Sequence, residues 1–367
     1  MTYELPAIGR PPDRPMLEKI AVEEHFDVLS ARDAAASGDD SKDAAASGDD
    51  PKDAAASGED LGTLVRAMDY DAGWMGRVGQ RLPDFGADRI AGMDASGIRV
   101  AILSHTVPGV QGIADAATAV SAARDVNDRL AAEIARRPDR YAGFASIAVQ
   151  DPSAAATELD RAVTRLGLKG AMINGYTNTR DPQRVEYLDA PKFLPFWEAA
   201  AALGVPIYLH PRPALDQRIF EGHSELMGAT WGFAPEAATH ALRLVYSGLF
   251  DRFPSLTVVL GHLGETLPYF SWRIQHCFEY NPSDKRVERR LQDYLCDNFY
   301  VSTSGFSSDQ ALIGAMLTIG ADRILFACDY PYEMMEPAAR WIERAGISEG
   351  DRRKIASGNA RQLFRMP

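Results

Sequence analysis

The sequence predicts a single (β/α)₈ barrel across residues 1–367, and three observations lead to this fold class. Short apolar runs alternate with amphipathic helical stretches, a pattern that is typical of parallel βα units. Eight such runs are present, which is the number of strands in a closed barrel of this kind. The competing architecture is a doubly wound open sheet, which usually has a glycine-rich turn after its first strand. Here the first run ends in EEHF, without a glycine.

The individual elements follow from this alternation. Strands are predicted over 19–25, 99–104, 142–148, 169–174, 205–210, 257–262, 299–303 and 323–328. Alanine-rich helical spacing between them predicts helices over 116–137, 154–166, 194–203, 235–249 and 309–319. Short strands that are each followed by a helix of this length favour the barrel.

One segment departs from the pattern. Residues 32–61 are three near-copies of a ten-residue unit, with nine acidic residues, three basic residues and a single large apolar residue, Leu61. Such a composition cannot bury enough apolar area to offset the entropy of ordering the chain. We therefore predict a disordered, exposed insertion after the first strand.

Composition excludes several classes of protein. Hydrophobic residues make up 46% of the chain and charged residues 25%, as in ordinary globular proteins. A net charge of −12 argues against partners such as nucleic acid or an anionic membrane surface. No apolar run approaches the roughly 18 residues of a membrane span. The three cysteines cannot all pair with one another, which predicts a reducing, cytoplasmic location.

Polar side chains end most of the predicted strands. In a (β/α)₈ barrel, the carboxyl ends of the strands meet at one rim, where catalytic groups lie. Asn174 ends the fourth strand, and the first, fifth, sixth and eighth strands end in imidazoles and carboxylates, namely Glu23, His25, His210, His262 and Asp329. Any one of these histidines alone could be an ordinary core residue. Because all five groups converge on one rim, the sequence predicts a Zn²⁺ or Mn²⁺ site.

Four longer motifs resemble a known family. They are AVEEHF (21–26), YLHPRP (208–213), LGHLGETLPYFSWRIQH (260–276) and ILFACDYPYE (324–333). These motifs are similar to those of the metal-dependent aromatic acid decarboxylases of the amidohydrolase superfamily, and most closely to the γ-resorcylate (2,6-dihydroxybenzoate) decarboxylases among them. The resemblance extends from about residue 17 to residue 366, apart from the acidic repeat.

The resemblance implies a role for each matching residue. Arg273 would help to hold the substrate, and Asn174 and Tyr332 are predicted to contact it. Asp329 is the candidate proton donor, and the alternative is His262 oriented by Glu265. One divalent metal ion would be bound by four residues, Glu23, His25, His210 and Asp329.

The chain departs from the family pattern after the metal-binding aspartate. The family usually has Trp-Pro-Phe there, whereas this chain has Tyr330-Pro331-Tyr332. Both aromatic positions therefore carry a hydroxyl, and an added donor can pair with a different substituent of the substrate ring.

The resemblance implies a carboxy-lyase that removes the carboxylate of an ortho-hydroxybenzoate, in principle reversibly. An ortho hydroxyl makes the ring electron-rich enough to accept a proton at the carbon that carries the carboxylate. Two alternatives stay open: a metal-dependent hydrolase of a small ester, lactone or amide, and a non-catalytic metal-binding scaffold. The expected assembly is a homotetramer built as a dimer of dimers, because the resemblance and the aromatic sequence around Tyr269, Phe270 and Trp272 both favour it.

Overall fold

The fold is a barrel of eight parallel strands surrounded by helices. The computed structural model describes residues 15–28, 70–181, 183–281 and 287–367. The strands are β1 (Lys19–Phe26), β2 (Ile98–His105), β3 (Tyr141–Gly143 and Ala145–Ser146), β4 (Ala171–Asn174), β5 (Ile207–His210), β6 (Val258–Leu260), β7 (Phe299–Ser302) and β8 (Ile324–Leu325). The predicted fold class is thus confirmed. The acidic repeat lies outside the described residues.

Backbone hydrogen bonds close the barrel. The strands pair in sequence order from β1 to the first part of β3, and from the second part of β3 to β8. At the junction of β8 and β1, the N–H of Val22 donates to the carbonyl of Phe326 at 3.1 Å. The N–H of His25 donates to the carbonyl of Tyr330 at 2.7 Å. This junction brings the carboxyl ends of the first and last strands together.

Helices cover the outside of the barrel, and their bounds follow the predicted ones closely. In chain order they are α1 (Ala72–Arg81), α2 (Ala87–Ser96), α3 (Ala116–Arg136), α4 (Pro152–Thr164), α5 (Leu194–Leu203), α6 (Phe233–Tyr246), α7 (Leu249–Arg252), α8 (His262–Glu265), α9 (Leu267–Glu279), α10 (Leu291–Asn298), α11 (Asp309–Ile319), α12 (Met335–Arg344), α13 (Glu349–Arg353) and α14 (Asn359–Leu363). Among the described residues, no helix combines the length and the apolar character that crossing a membrane requires.

Several strands are shorter than predicted. The sixth ends at Leu260 rather than His262, and the eighth covers only Ile324–Leu325. In the eighth, the apolar run continues beyond the last ladder pair, because Phe326, Ala327 and Cys328 stay buried in the turn that follows. In the sixth, Gly261 and His262 begin the turn instead. An apolar run indicates which residues are buried, whereas a strand also requires backbone pairing with a neighbour. The length of the run therefore overestimates the length of the strand.

The barrel interior is a packed cluster to which every strand contributes. It includes Ile20, Val22, Ile102, Ala142, Phe144, Met172, Tyr208, Val259 and Leu325, all at most 6% exposed. Phe364, near the carboxyl end of the chain, packs against the same cluster. A larger cluster lies between the strands and the helices and includes Ala21. The interior is therefore filled with side chains, as in other barrels of this size.

An irregularity in β1 determines where its polar side chains point. The pairing of β1 with β2 changes register between Ala21 and Glu24. Ile20 and Val22 lie inside the barrel, and in a regular strand Glu23 would then point outward. The extra residue instead lets the Glu23 carboxylate accept a hydrogen bond from the interior side chain of Tyr208. Bulges of this kind often re-aim a side chain beside an active site.

His240 is a buried imidazole on α6, far in sequence from the strand ends. Its Nε2 accepts a hydrogen bond from the N–H of Leu188 at 3.0 Å. Burial, helped by the charge of Arg243, lowers the pKa of His240 to about 3. An unfolded chain would have a histidine pKa of about 6.5. The unfolded state therefore binds more protons across the interval from about pH 6.5 to about pH 3, and stability falls as pH falls through it.

Replacing His240 by Gln should remove this part of the pH dependence, which cannot exceed about 1.4 kcal/mol per pH unit for one group. The measurement is the free energy of unfolding in urea at about pH 7 and about pH 5. A matched control is His223→Gln, because His223 is an exposed imidazole beside Glu225. We expect the control to keep the wild-type slope. An unchanged slope for His240→Gln would contradict the account.

Candidate metal centre and active site

Four predicted side chains meet at the rim of the barrel. Glu23 and His25 come from β1, His210 from the end of β5, and Asp329 from the turn after β8. Each of the four offers one ligand atom, and these atoms all lie within 4.8 Å of one another. His25 Nε2 lies 3.1 Å from Asp329 Oδ1, and His210 Nε2 lies 3.6 Å from Glu23 Oε1. The structure thus brings together the four residues that the resemblance implied as metal ligands.

The atoms that face one another here lack other partners. Glu23 Oε1, His25 Nε2 and Asp329 Oδ1 are buried and accept or donate no hydrogen bond within the described part of the chain. Burying such atoms unpaired is costly, and costliest for carboxylates. Two imidazole nitrogens and two carboxylate oxygens are a donor set that Zn²⁺ and Mn²⁺ accept. The residues therefore fit a divalent metal ion.

The remaining polar atoms of these side chains are held by neighbours. The second carboxylate oxygen of Glu23, Oε2, accepts hydrogen bonds from the hydroxyls of Tyr208 and Ser302, the latter at 3.0 Å. His210 Nδ1 lies 2.9 Å from the carbonyl of Pro211, and donating there leaves Nε2 as a free lone pair. Such partners orient a ligand before any ion binds. Tyr208 was missed in the sequence, although it precedes His210 by two residues and so shares its face of the strand.

His262 and Glu265 form a hydrogen-bonded pair beside this cluster. His262 Nδ1 lies 2.6 Å from Glu265 Oε1, and His262 Nε2 lies 3.7 Å from Asp329 Oδ2. The backbone reaches this arrangement through a left-handed turn, because φ is positive at every residue from His262 to Thr266. Such angles cost free energy at residues other than glycine, and strain of this kind clusters at functional sites.

The surrounding charges favour different protonation states for Asp329 and His262. Burial alone would raise the pKa of the Asp329 carboxyl, but the neighbouring imidazoles of His25 and His262 outweigh it and lower that pKa. Burial alone would lower the pKa of His262, but the carboxylates of Glu265, Glu23 and Asp329 raise it well above its usual range. The pair therefore favours a carboxylate at Asp329 and a proton on His262.

The pKa values of His210 and Glu23 are shifted mainly by burial. Burial lowers the pKa of His210 well below its ordinary value, and the neighbouring His25 adds to this effect. His210 is therefore neutral, as a metal ligand must be. Burial also raises the pKa of Glu23, and the charge of Asp329 raises it further. Two carboxyl groups that face one point resist ionising together, unless a cation lies between them.

A cavity of about 310 Å³ adjoins the cluster. His262, Asp329 and Glu333 line it on one side, and Trp231 and Phe306 supply aromatic surface. Pockets for small molecules are usually of this size or larger, and are mostly apolar with a few polar groups. Glu333 was missed in the sequence, although it falls four residues after Asp329.

The three predicted substrate-contacting residues differ in position. Asn174 is buried and pairs in register with His210, and its amide donates to the carbonyl of His105 at 3.3 Å. The ring of Tyr332 lies edge-on to His25, with centroids 5.5 Å apart, and its hydroxyl lies 2.5 Å from Thr106 Oγ1. Arg273 is exposed on α9. None of the three is among the residues that line the cavity.

Fold and site together define a metal-binding (β/α)₈ barrel with a proton-carrying pair at its rim. The chain belongs to the amidohydrolase family, whose model matches residues 27–366. It is 48% identical over 290 residues to the gamma-resorcylate decarboxylase of Polaromonas sp. strain JS666, which covers 78% of this chain and 89% of that protein.

Solved structures give the same result. A crystal structure of 2,6-dihydroxybenzoate decarboxylase complexed with 2,6-dihydroxybenzoate is 42% identical and has a TM-score of 0.83, covering 95% of this chain and 100% of that chain. The dihydroxybenzoic acid decarboxylase of Polaromonas sp. JS666, with bound manganese and the inhibitor 2-nitroresorcinol, also has a TM-score of 0.83 at 42% identity. It covers 96% of this chain and 98% of that one. The predicted resemblance to metal-dependent aromatic acid decarboxylases is confirmed.

Removing one ligand should test the metal centre directly. We expect His210→Ala to lower the bound Mn²⁺ content of the purified protein at least tenfold, because mutating a residue that merely supports a metal ligand typically costs about 10–100-fold in affinity, and His210 is itself a candidate ligand. The protein should also lose the rise in melting temperature that added Mn²⁺ causes in the wild type. His223→Ala is the control, since that imidazole is exposed on a loop. Full metal content in His210→Ala would contradict the site.

Proposed function

We propose that this chain is a metal-dependent, non-oxidative decarboxylase of an ortho-hydroxybenzoate such as 2,6-dihydroxybenzoate. The observation that carries the proposal is the convergence of Glu23, His25, His210 and Asp329 beside a cavity that also contains His262. The cavity is aromatic and of a size for a small ring. Similarity to decarboxylases that bind 2,6-dihydroxybenzoate or manganese supports the same substrate class.

The cofactor is one divalent ion, Mn²⁺ or Zn²⁺, held by the four converging side chains. Manganese in the Polaromonas relative supports Mn²⁺, and the nitrogen and oxygen donor set also suits Zn²⁺. When bound, such an ion supplies positive charge that orients the oxygens of an aromatic acid and stabilises negative charge on them. It would also offset the repulsion between Glu23 and Asp329.

The reaction needs one proton at one carbon. The bond between the ring and the carboxylate breaks, carbon dioxide leaves, and the electron pair of that bond forms a new bond to hydrogen at the same carbon. The pair of His262 and Asp329 is the source of this proton. His262 holds a proton and Glu265 orients its ring through Nδ1, so that Nε2 faces Asp329 and the cavity. Asp329 is one of the four cluster residues, and its second oxygen, Oδ2, lies 3.7 Å from His262 Nε2. This position makes Asp329 the candidate that delivers the proton to the ring carbon.

The proposal extends to the oligomeric state of the protein and to its location in the cell. A homotetramer built as a dimer of dimers is supported by α9, where Tyr269, Phe270 and Trp272 are 57%, 53% and 68% exposed. Exposed aromatic surface of this kind usually marks an interface. Closed symmetric assembly is the usual form of soluble oligomers. The cytoplasmic location stays a prediction of the sequence.

The function is tested with Mn²⁺-loaded protein and a panel of aromatic acids, followed by ultraviolet absorbance and by carbon dioxide release. We expect loss of 2,6-dihydroxybenzoate with one equivalent of carbon dioxide, and no turnover of benzoate, which lacks the ortho hydroxyl. Cleavage of a small ester or lactone without turnover of any acid would identify a hydrolase instead. No turnover of any compound by the metal-loaded protein would favour a binding scaffold.

Two substitutions separate proton transfer from metal binding. Asp329→Asn removes the carboxyl group that would pass the proton from His262 to the ring but keeps one ligating oxygen, and its turnover should fall at least about 100-fold, the low end for general acid catalysis. His262→Asn should also lower turnover while leaving bound metal unchanged, because His262 is outside the four-residue cluster. Metal content is measured in each sample, and only metal-loaded protein is compared. Normal turnover by both metal-loaded variants would contradict the proposed proton source.

A further inference from the structure

Glu24 lies between Glu23 and His25 in the chain but points away from them. Its carboxylate is fully buried at the junction of β1 and β8, outside the four-residue cluster. It is not among the residues that line the cavity. The alternation of side chains along β1 already indicates that Glu24 faces the opposite side of the strand from its neighbours. A buried carboxylate in this position requires partners of its own.

Both oxygens of Glu24 accept backbone hydrogen bonds from the residues that flank Asp329. Oε1 accepts from the N–H of Cys328 at 2.9 Å, and Oε2 accepts from the N–H of Tyr330 at 3.3 Å. The backbone of Asp329 itself has a φ of 78°, which is unfavourable for a residue with a side chain. Glu24 therefore spans a strained residue and holds the peptide groups on both sides of it.

Further hydrogen bonds connect this segment to β1. The N–H of Asp329 donates to the carbonyl of Glu23 at 3.2 Å, and the N–H of His25 donates to the carbonyl of Tyr330 at 2.7 Å. Three metal-binding candidates thus share one backbone junction. The conformation of this junction determines whether the Asp329 carboxylate reaches the other ligand atoms.

Arg89 adds a buried positive charge at the same junction. Its guanidinium is fully buried, donates from Nη2 to the carbonyl of His25 at 2.7 Å, and lies over the ring of Tyr330 at 4.9 Å. Arg89 thus contacts a metal-binding candidate on one strand and the segment after Asp329 on the other. A buried carboxylate and guanidinium at this junction stabilise backbone geometry rather than contact a ligand.

We infer that Glu24 is a positioning residue that holds Asp329 in the orientation needed for metal binding and proton delivery. The inference rests on the proposed function, since it assigns to Glu24 a role in the same metal centre. It acts through the backbone N–H groups of Cys328 and Tyr330. Substrate affinity should therefore change little when Glu24 is altered, whereas metal affinity and turnover should both fall.

The test variant is Glu24→Gln, which keeps the size of the side chain. Its amide has one acceptor oxygen, so one of the two backbone N–H groups would face an NH₂ group instead. We expect the dissociation constant for Mn²⁺, measured by competition with a chelator, to rise about tenfold or more. With saturating Mn²⁺, kcat should fall about tenfold or more while KM for 2,6-dihydroxybenzoate stays within about threefold.

Glu158→Gln is the matched control. Glu158 is also a buried carboxylate, with hydrogen bonds from Asn127 at 2.8 Å and Arg161 at 2.8 Å and an ion pair with Arg124 at 3.9 Å, but it lies on α4. The control should lose stability without any change in Mn²⁺ affinity, which separates a general effect of altering a buried carboxylate from an effect on the metal centre. If Glu24→Gln does not fold, Glu24→Asp is measured in the same way. Its shorter side chain cannot reach both N–H groups at their present distances.

The outcomes separate this inference from the proposed function. Wild-type Mn²⁺ affinity and wild-type kcat in the Glu24 variant that folds would overturn the inference alone. A rise in KM with unchanged Mn²⁺ affinity would also overturn it, since that would place Glu24 at the substrate. A wild-type protein that binds no divalent metal would overturn both. Wild-type protein that binds Mn²⁺ but decarboxylates nothing, with weaker binding in Glu24→Gln, would support the positioning role and contradict the proposed reaction.

Discussion

The arrangement at the barrel rim depends on one electrostatic constraint, which is that Glu23 Oε1 and Asp329 Oδ1 are buried oxygens that face a common point. Carboxylates in such surroundings need a cation or a proton to balance them. The imidazoles of His25 and His210 face the same point and complete a donor set for a divalent ion. The β1 register change, the strained turn at Asp329 and the hydroxyls on Glu23 all maintain that convergence.

The barrel makes this convergence possible because parallel strands bring their carboxyl ends to one rim. Helices and the packed interior stabilise the strands, and the turns that follow them carry the reactive groups. Strain is concentrated in two such turns, at His262 to Thr266 and at Asp329. In both, the unfavourable backbone angle places a side chain against the cluster. Packing in the barrel stabilises these unfavourable backbone angles, and the two turns carry His262 and Asp329, the proposed source of the proton.

Much of this could be predicted from the sequence, because it follows from periodicity and from the topology of the barrel. That imidazoles and carboxylates at strand ends share a rim followed from the topology of the barrel, whereas the choice of Glu23, His25, His210 and Asp329 as ligands came from the family resemblance. The left-handed turn after Gly261 could not be predicted, since its geometry depends on packing against residues distant in the chain. The same holds for Glu24, whose partners Cys328 and Tyr330 are about 300 residues away. The alternation of side chains along the strand predicts the direction of the Glu24 side chain, but it does not predict which groups the side chain contacts.

The predicted role of Arg273 in holding the substrate came from the family resemblance alone. The motif around it matches the family, yet its side chain is exposed on α9 among aromatic residues that are exposed as well. A role for Arg273 at a substrate therefore remains a prediction that the single chain does not explain. Because exposed aromatic residues surround Arg273, we propose that its guanidinium contacts a second copy of the chain.

The most direct test of the account is a crystal structure of the protein grown with Mn²⁺ and examined by anomalous scattering at the manganese absorption edge. The account predicts one strong peak in each chain, bound by the side chains of Glu23, His25, His210 and Asp329, with His262 beside it but not coordinating. The absence of a peak at this rim, or a peak bound by a different set of side chains, would contradict the central claim that these four residues form a single divalent metal centre.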